Sequence, residues 1–323
     1  MEEGSDYRPW DELIPDALGL IFSKLCLRDI LTVVPMVCKS WSRAVLGPYC
    51  WQEVDIEEWS EVCLPEQLDR MLQMLITRSS GSLRKLSVTR LRNDEMFPFL
   101  ADHAGSLQTL KLPRSAISGS IIEQMSGKLS NLTFLDLSYC SKIDARALEL
   151  VGNKCKHLEV LFRNMHPLDK ADKEAQEDEA HAIATTMPNL KHLEMAYHQV
   201  STENILRILS TCTSLVHIDL RGCWDVELDD KFLLEKFPKL KVLGPLVMDY
   251  YQMNNSEEDE CLEFSDSSEE DLAWAFVHGE MGGYDYESYD EMWDDDEGRL
   301  EELEVRFYEG IQDAGLYGWP PSP

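Results

Sequence analysis

Several absences narrow the chemistry open to this chain. Its nine cysteines among 323 residues are an odd number and include no C-x-x-C pair. Neither a disulfide framework nor a paired-cysteine zinc site is expected, and a reducing compartment is, so the nucleus and/or cytoplasm is the expected location. No stretch approaches about 18 consecutive apolar residues, so no membrane-spanning helix is expected. The acidic start, with Glu2, Glu3 and Asp6, is unlike a secretory or organellar leader. No G-x-x-x-x-G-K-[ST] phosphate loop occurs, which leaves Asp178-Glu179-Ala180-His181 as ordinary helix, from Asp178 to Thr186. His157, His166, His181, His192, His198 and His217 lack the short paired spacing of a zinc centre, and read as surface or strand-face residues. No metal and no cofactor is expected. Cys26, Cys38, Cys140 and Cys223 fall at apolar pattern positions, where cysteine behaves as a small buried hydrophobe rather than a nucleophile. The chain is not expected to be an enzyme.

Positive charge is scarce too. There are 30 Lys and Arg against 60 Asp and Glu, a net charge of −30. Residues 249–323 hold 24 acidic side chains and only Arg299 and Arg306, so −22 lies there and −8 on the preceding 248 residues. A basic groove for phosphates is not expected on the body, which argues against direct nucleic-acid binding. The acidic tail also carries aromatics, among them Trp274, Trp293 and Trp319. It reads as a flexible, solvated segment or as one that folds onto a basic partner.

Leucine is what the chain has in pattern. Leu83, Leu107, Leu132, Leu158, Leu190, Leu215 and Leu240 recur at intervals of 24, 25, 26, 32, 25 and 25 residues, most of them opening an L-x-x-[LI]-x-hydrophobic phrase. This period matches the leucine-rich repeat, a short strand and a helix per unit. In the unit from Asn131 to Cys155, Leu132, Leu135 and Leu137 point inward, while Phe134, Asp136 and Ser138 point out of the opposite strand face. Asp144 is a plausible N-cap for a helix whose Ala147, Leu148 and Val151 face the strand. The expected fold is α/β: a solenoid with parallel strands on the concave side and helices on the convex side.

Ahead of the repeats, Leu18, Ile21, Phe22 and Leu25 fall at helical spacing behind Pro15, and two or three short helices are expected. Ile14-Pro15-Asp16, Leu18, Ile21-Phe22, Leu25, Leu27, Asp29, Val37-Cys38, Trp41 and Trp51, with a V-C-[KR]-x-W core, closely resemble the F-box. Box and repeats together cover about three quarters of the chain, which resembles a plant F-box/leucine-rich-repeat protein. That resemblance implies the substrate receptor of a Skp–cullin–F-box ubiquitin ligase. It further implies docking on a Skp-type adaptor through Ile14, Pro15, Leu18, Ile21, Phe22, Leu25, Leu31, Val37 and Trp41, with cullin and RING subunit reached indirectly. Catalysis would belong to those partners, and an unidentified protein would be the substrate.

Boundaries follow: an N-terminal extension at 1–9, the box at 10–56, a linking helical segment at 57–81, repeats at 82–248 and the acidic tail at 249–323. The candidate substrate surface is the ladder of outward strand residues: Lys85, Lys111, Phe134, Asp136, Phe162, His192, Glu194, His217, Asp219 and Arg221, interleaved with Ser87, Thr109 and Val160. A second candidate is the loop Asn164 to Glu177 that lengthens the fourth repeat. A scaffold that works without ubiquitin and holds basic proteins through its acidic tail is the competing functional reading.

Overall fold

Strands of only three residues carry the architecture, and they do so because each buries its middle side chain against the next. The computed structural model describes Trp10 and residues 13–92, 95–103, 105–166 and 173–245, so the expected N-terminal extension and acidic tail lie outside the described residues. Four short helices come first: α1 (Pro15–Phe22), α2 (Leu27–Thr32), α3 (Val34–Val37) and α4 (Lys39–Leu46), followed by a 3₁₀ turn at Pro48–Trp51. Strands and helices then alternate. They run β1 (Glu53–Asp55), α5 (Glu57–Val62), α6 (Pro65–Arg78), β2 (Lys85–Ser87), α7 (Met96–His103), β3 (Thr109–Lys111), α8 (Gly119–Met125), β4 (Phe134–Asp136) and α9 (Ala145–Lys154). The series closes with β5 (Val160–Phe162), α10 (Lys173–Thr186), β6 (His192–Glu194), α11 (Thr202–Thr211), β7 (His217–Asp219), α12 (Asp230–Lys236) and β8 (Lys241–Leu243).

All eight described strands are parallel and in sequence order. Their register stacks Val54, Leu86, Leu110, Leu135, Leu161, Leu193, Ile218 and Val242 into one column. A second column stands two residues on: Ile56, Val88, Leu112, Leu137, Arg163, Met195 and Leu220, all buried. A strand alternates its side chains, so both columns face the helices and the residues between them face the open side. The helices lock on with ordinary caps: Asp144 accepts the Ala147 N–H at 2.8 Å and Ser201 that of Asn204 at 3.4 Å.

Four expectations need correction. The solenoid does not begin at residue 82. The N–H groups of Arg84 and Lys85 donate to Gln52 as those of Gln108 and Thr109 donate to Arg84, so Trp51 occupies the place of Leu83 and Leu107. The closing tryptophan of the box is therefore the first residue of the first repeat, and α5 and α6 are that repeat's return path, not a link. Trp51 is buried, donates its Nε1–H to Val45 O at 2.7 Å and carries the Arg78 guanidinium 5.5 Å from its ring centre.

The last repeat is one residue short. In the earlier units the middle strand residue follows the first leucine by three, but Val242 follows Leu240 by two and pairs with Ile218. Leu243 consequently falls opposite Asp219, on the open side. Helix α10 starts at Lys173 rather than Asp178, so the last residues of the expected loop Asn164–Glu177 are helical. Finally, Ser138 and His198 are buried although both were expected at a surface, while Cys26 is exposed and Cys38 only half-buried. Ser138 is held in by accepting the Asn164 N–H at 3.3 Å, a cross-repeat bond that a short hydroxyl can make inside the turn.

A stability measurement checks the register. Leu135→Ala removes a column residue and leaves a cavity costing about 2 to 5 kcal/mol, whereas Lys111→Ala, half-buried on the open side of the neighbouring strand, costs less than about 1 kcal/mol. Urea midpoints in the reverse order would put every strand one residue out of phase.

Candidate interaction surfaces

The box helices split their apolar residues into two stripes. On α1, Leu18 and Phe22 stand four apart and are buried, with the Phe22 ring 4.9 Å from that of half-buried Trp41. Ile14 and Ile21 stand seven apart, on a second stripe, and remain exposed. Of the nine residues expected to meet an adaptor, Ile14, Pro15, Ile21, Leu25 and Val37 are exposed. Leu18, Phe22 and Leu31 are buried, because they fill the box's own core and shape the surface from beneath. Sequence reading missed Leu20, Val33 and Met36, which are exposed, Met36 at 82%. The available signal was that they lie off the buried stripe.

On the open side of the sheet the outward residues form an aromatic and imidazole track. The rings of Phe134 and Phe162 meet edge-on at 4.9 Å, Phe162 lies 5.2 Å from His192, and His192 lies 4.1 Å from His217. Lys111 Nζ stands 5.6 Å over the Phe134 ring. The track thus joins β4, β5, β6 and β7, four neighbouring strands. Most of the expected ladder is half-buried here, including Lys85, Lys111, Asp136 and Glu194. Ser87 and Asp219 are not open to a partner, since both are buried. Arg221 closes over Asp219, donating Nη2–H at 2.6 Å and Nε–H at 3.0 Å to its carboxylate. His192 and Glu194 are 3.2 Å apart, and burial followed by the neighbouring His192 pushes the His217 imidazole below its usual range.

Beneath the track lies a buried ion pair that the leucine pattern concealed. Arg163 takes the third apolar place of the repeat that opens at Leu158 and is fully buried. Its Nε and Nη2 each donate to the Glu179 carboxylate at 3.0 Å, Nη1 to the carbonyls of Cys140 at 3.1 Å and Leu137 at 3.3 Å, and Nη2 to Ile143 O at 3.2 Å. Burial pushes the Glu179 carboxyl up, against the pull of Arg163. His198 then donates Nε2–H to Arg163 O at 2.6 Å. Cys140 and Cys223 stand at the same point of their repeats and give their thiol hydrogens to Leu112 O and Met195 O, each at 3.1 Å. His198 is thus a cysteine equivalent.

The long repeat that opens at Leu158 is tied down at both ends of its expected loop. Asn164 donates to Glu194 Oε2 at 3.0 Å and accepts the Ala196 N–H at 2.9 Å. Gln176 accepts the Gln199 N–H at 2.7 Å, and Glu177 that of Ser201 at 2.8 Å. Those residues staple adjacent repeats; positions 167–172 of the loop lie outside the described residues.

The thiols are poorly suited to nucleophilic work. Burial pushes Cys50, Cys140 and Cys155 up to about 11 and Cys63 and Cys223 up to about 12, so they stay protonated at neutral pH. Among the described residues no three side chains are grouped to hold a metal ion, and no helix is long and apolar enough to cross a membrane.

Comparison with known proteins gives relatives that match along most of this chain. The chain is 55% identical to the F-box protein FBW2 of Arabidopsis thaliana over 100% of both chains. It is 30% identical to the F-box protein SKIP19 of the same plant, over 80% of this chain and 84% of that one. No family model matches. A chain from the crystal structure of the yeast Rad7 and Elc1 complex aligns over 55% of this chain and 44% of its own, at 23% identity and a TM-score of 0.44, too loosely to carry an argument.

The buried histidine sets a pH dependence. Burial first, and then the charge of Arg163, lower His198 from its ordinary value to about 3. Below about pH 6.5 the unfolded chain takes up a proton that the folded one refuses, so this site's contribution to stability falls as pH drops from about 6.5 towards 3, by up to about 1.4 kcal/mol per unit. His198→Cys, which restores the thiol donor of the sister repeats, flattens the dependence in that window and leaves it unchanged above pH 7. Parallel urea-unfolding curves for the two proteins between pH 4.5 and 6.5 would count against a neutral buried imidazole.

Proposed function

The chain belongs to the F-box protein family, and we propose that it is the substrate-recognition subunit of a Skp–cullin–F-box ubiquitin ligase. One observation carries the reading: the box leaves apolar side chains uncovered, Ile14 at 66% and Val37 at 54% exposure among them. Single exposed apolar residues are common on any protein, but Ile14, Leu20, Ile21, Leu25, Val33, Met36 and Val37 fall within 24 residues. A density of that kind is characteristic of a surface another chain covers. A Skp-type adaptor is the proposed cover, with cullin and RING subunit recruited through it.

Ligase chemistry then belongs to the partners, and this chain contributes position. The open side of the sheet holds a protein to be modified, while Trp51 is shared by the box core and the first repeat. Anything held on the sheet is thereby placed at a set offset from the adaptor. Bringing a lysine of the held protein near a charged ubiquitin carrier raises its effective concentration without any catalytic residue here. Degradation of the modified protein, in nucleus or cytoplasm, is the proposed outcome.

The burial pattern selects the test. Ile14→Ala with Ile21→Ala removes two exposed side chains; recovery of adaptor and cullin from cells falls at least about tenfold, while the melting transition shifts little. Leu18→Ala also loses adaptor, but through an unfolding cost of about 2 to 5 kcal/mol. Full cullin recovery by the folded double variant would remove the ligase reading.

A further inference from the structure

We propose that the open side of the sheet holds an arginine side chain of the bound protein, seated on Phe162 between the carboxylates of Asp136 and Glu194. This deepens the reading of that side as the substrate surface and rests on it. Asp136, Phe162 and Glu194 occupy the same register position on β4, β5 and β6. Strands stand about 4.8 Å apart, so the two carboxylate-bearing positions are about 10 Å from one another with one aromatic ring between them. Phe134 and His192 flank that ring, at 4.9 and 5.2 Å.

The same row contains its own demonstration of what such a place accepts. Its next carboxylate along, Asp219, is taken by the guanidinium of Arg221 through Nε and Nη2. Asp136 receives the Ser138 N–H, at 2.8 Å, and the hydroxyl of the same Ser138, and Glu194 receives Asn164 Nδ2–H and His192. Neither has a lysine or arginine nitrogen within 4 Å among the described residues. Burial is the main force that raises the Asp136 carboxyl, the Ser138 hydrogen bonds and Lys111 pull the other way, and Glu194 adds a smaller rise, so a further cation here would favour the charged form.

A guanidinium suits the place better than an ammonium. It is planar and weakly hydrated, so one face lies on the Phe162 ring while its N–H edge points to carboxylates on either hand. A lysine ammonium is a compact, strongly hydrated point charge and gives up more water to sit on an aromatic floor.

The test uses the full chain and a fluorescein-labelled nonapeptide of glycine and serine with one central arginine, followed by fluorescence polarisation at physiological salt. The 24 acids beyond residue 248 attract any cation weakly, and they are common to every variant compared. Expected results are a loss of about tenfold when citrulline, uncharged and of the same shape, replaces arginine, and of about fivefold or more for Phe162→Ala and for Glu194→Gln. Asp55→Asn, on the same side but paired with Lys85 at 3.2 Å, changes little. Equal affinity of wild type, Phe162→Ala and Glu194→Gln, or no binding to folded wild type, overturns the site; equal binding of a lysine peptide overturns the choice of guanidinium. Adaptor recovery is measured beside it: lost recovery with peptide binding intact strikes the ligase reading and leaves the arginine site standing.

Discussion

A three-residue strand cannot bury anything alone, and the whole molecule depends on that insufficiency. Leu86, Leu110, Leu135, Leu161, Leu193 and Ile218 are each covered above and below by a neighbour of like shape, with Val54 and Val242 at the two ends of the column. Stability in such an array is close to a sum of unit and interface terms, so each end needs a cover. At the first end the cover is the box. Trp51 stands where a leucine would open the repeat, and its indole N–H is satisfied by Val45 O of α4. A leucine there would fill the column but could not reach into the helices, and the box would then meet the array through less contact.

The repeat that opens at Leu158 shows how the same frame absorbs seven or so extra residues. Its third column residue is Arg163 instead of an apolar side chain, and a fully buried arginine is tolerable only when every donor is met. Glu179 supplies the countercharge from α10, while three carbonyls of the preceding turn take the remaining hydrogens. Those carbonyls are ones a plain leucine would leave to other donors. The pair therefore does two things at once: it fastens the long helix α10 to the sheet and it closes the turn after β4. Gly152 allows α10 to come this near, since a Cβ there would lie 2.0 Å from Thr186 Oγ1. His198 completes the join by replacing a cysteine thiol with an imidazole that reaches the Arg163 carbonyl.

Much of this was legible from residue order, for a physical reason. Leucine columns demand one residue type at a fixed interval, so the period survives even where helices and turns vary; strand placement from Leu83 to Leu215 followed directly. The same reasoning failed where another residue satisfied the same demand. Trp51 fills the first column place without being a leucine, Arg163 fills a later one by carrying its own countercharge, and Leu240 keeps its turn while the strand after it starts one residue early. On the box, spacing marks two apolar stripes on α1 but not which of them turns inward. That depends on α4 and the 3₁₀ turn, which both pack on α1, with the Trp41 ring against Phe22. The ladder of outward residues was readable from alternation, yet Asp219 was not separable from Asp136, because Arg221 two residues on decides which carboxylate is already occupied.

Alternation also separates the open-face residues proposed to meet a substrate from those that hold the fold up. Column side chains are fixed by the stack, and an exchange there costs stability whatever its effect on binding. The intervening positions, such as Thr109, Phe134, Val160, His192 and His217, are aligned by that stack without contributing to its columns. Their spacing is therefore inherited, while their identity is free. A surface of this kind can be rewritten one side chain at a time with little penalty to the fold, and the box, tied on at Trp51 and away from that face, is left undisturbed. On the proposed role, in which one protein is presented to machinery carried by others, that division is the useful property: the box can stay constant while the strand face is varied.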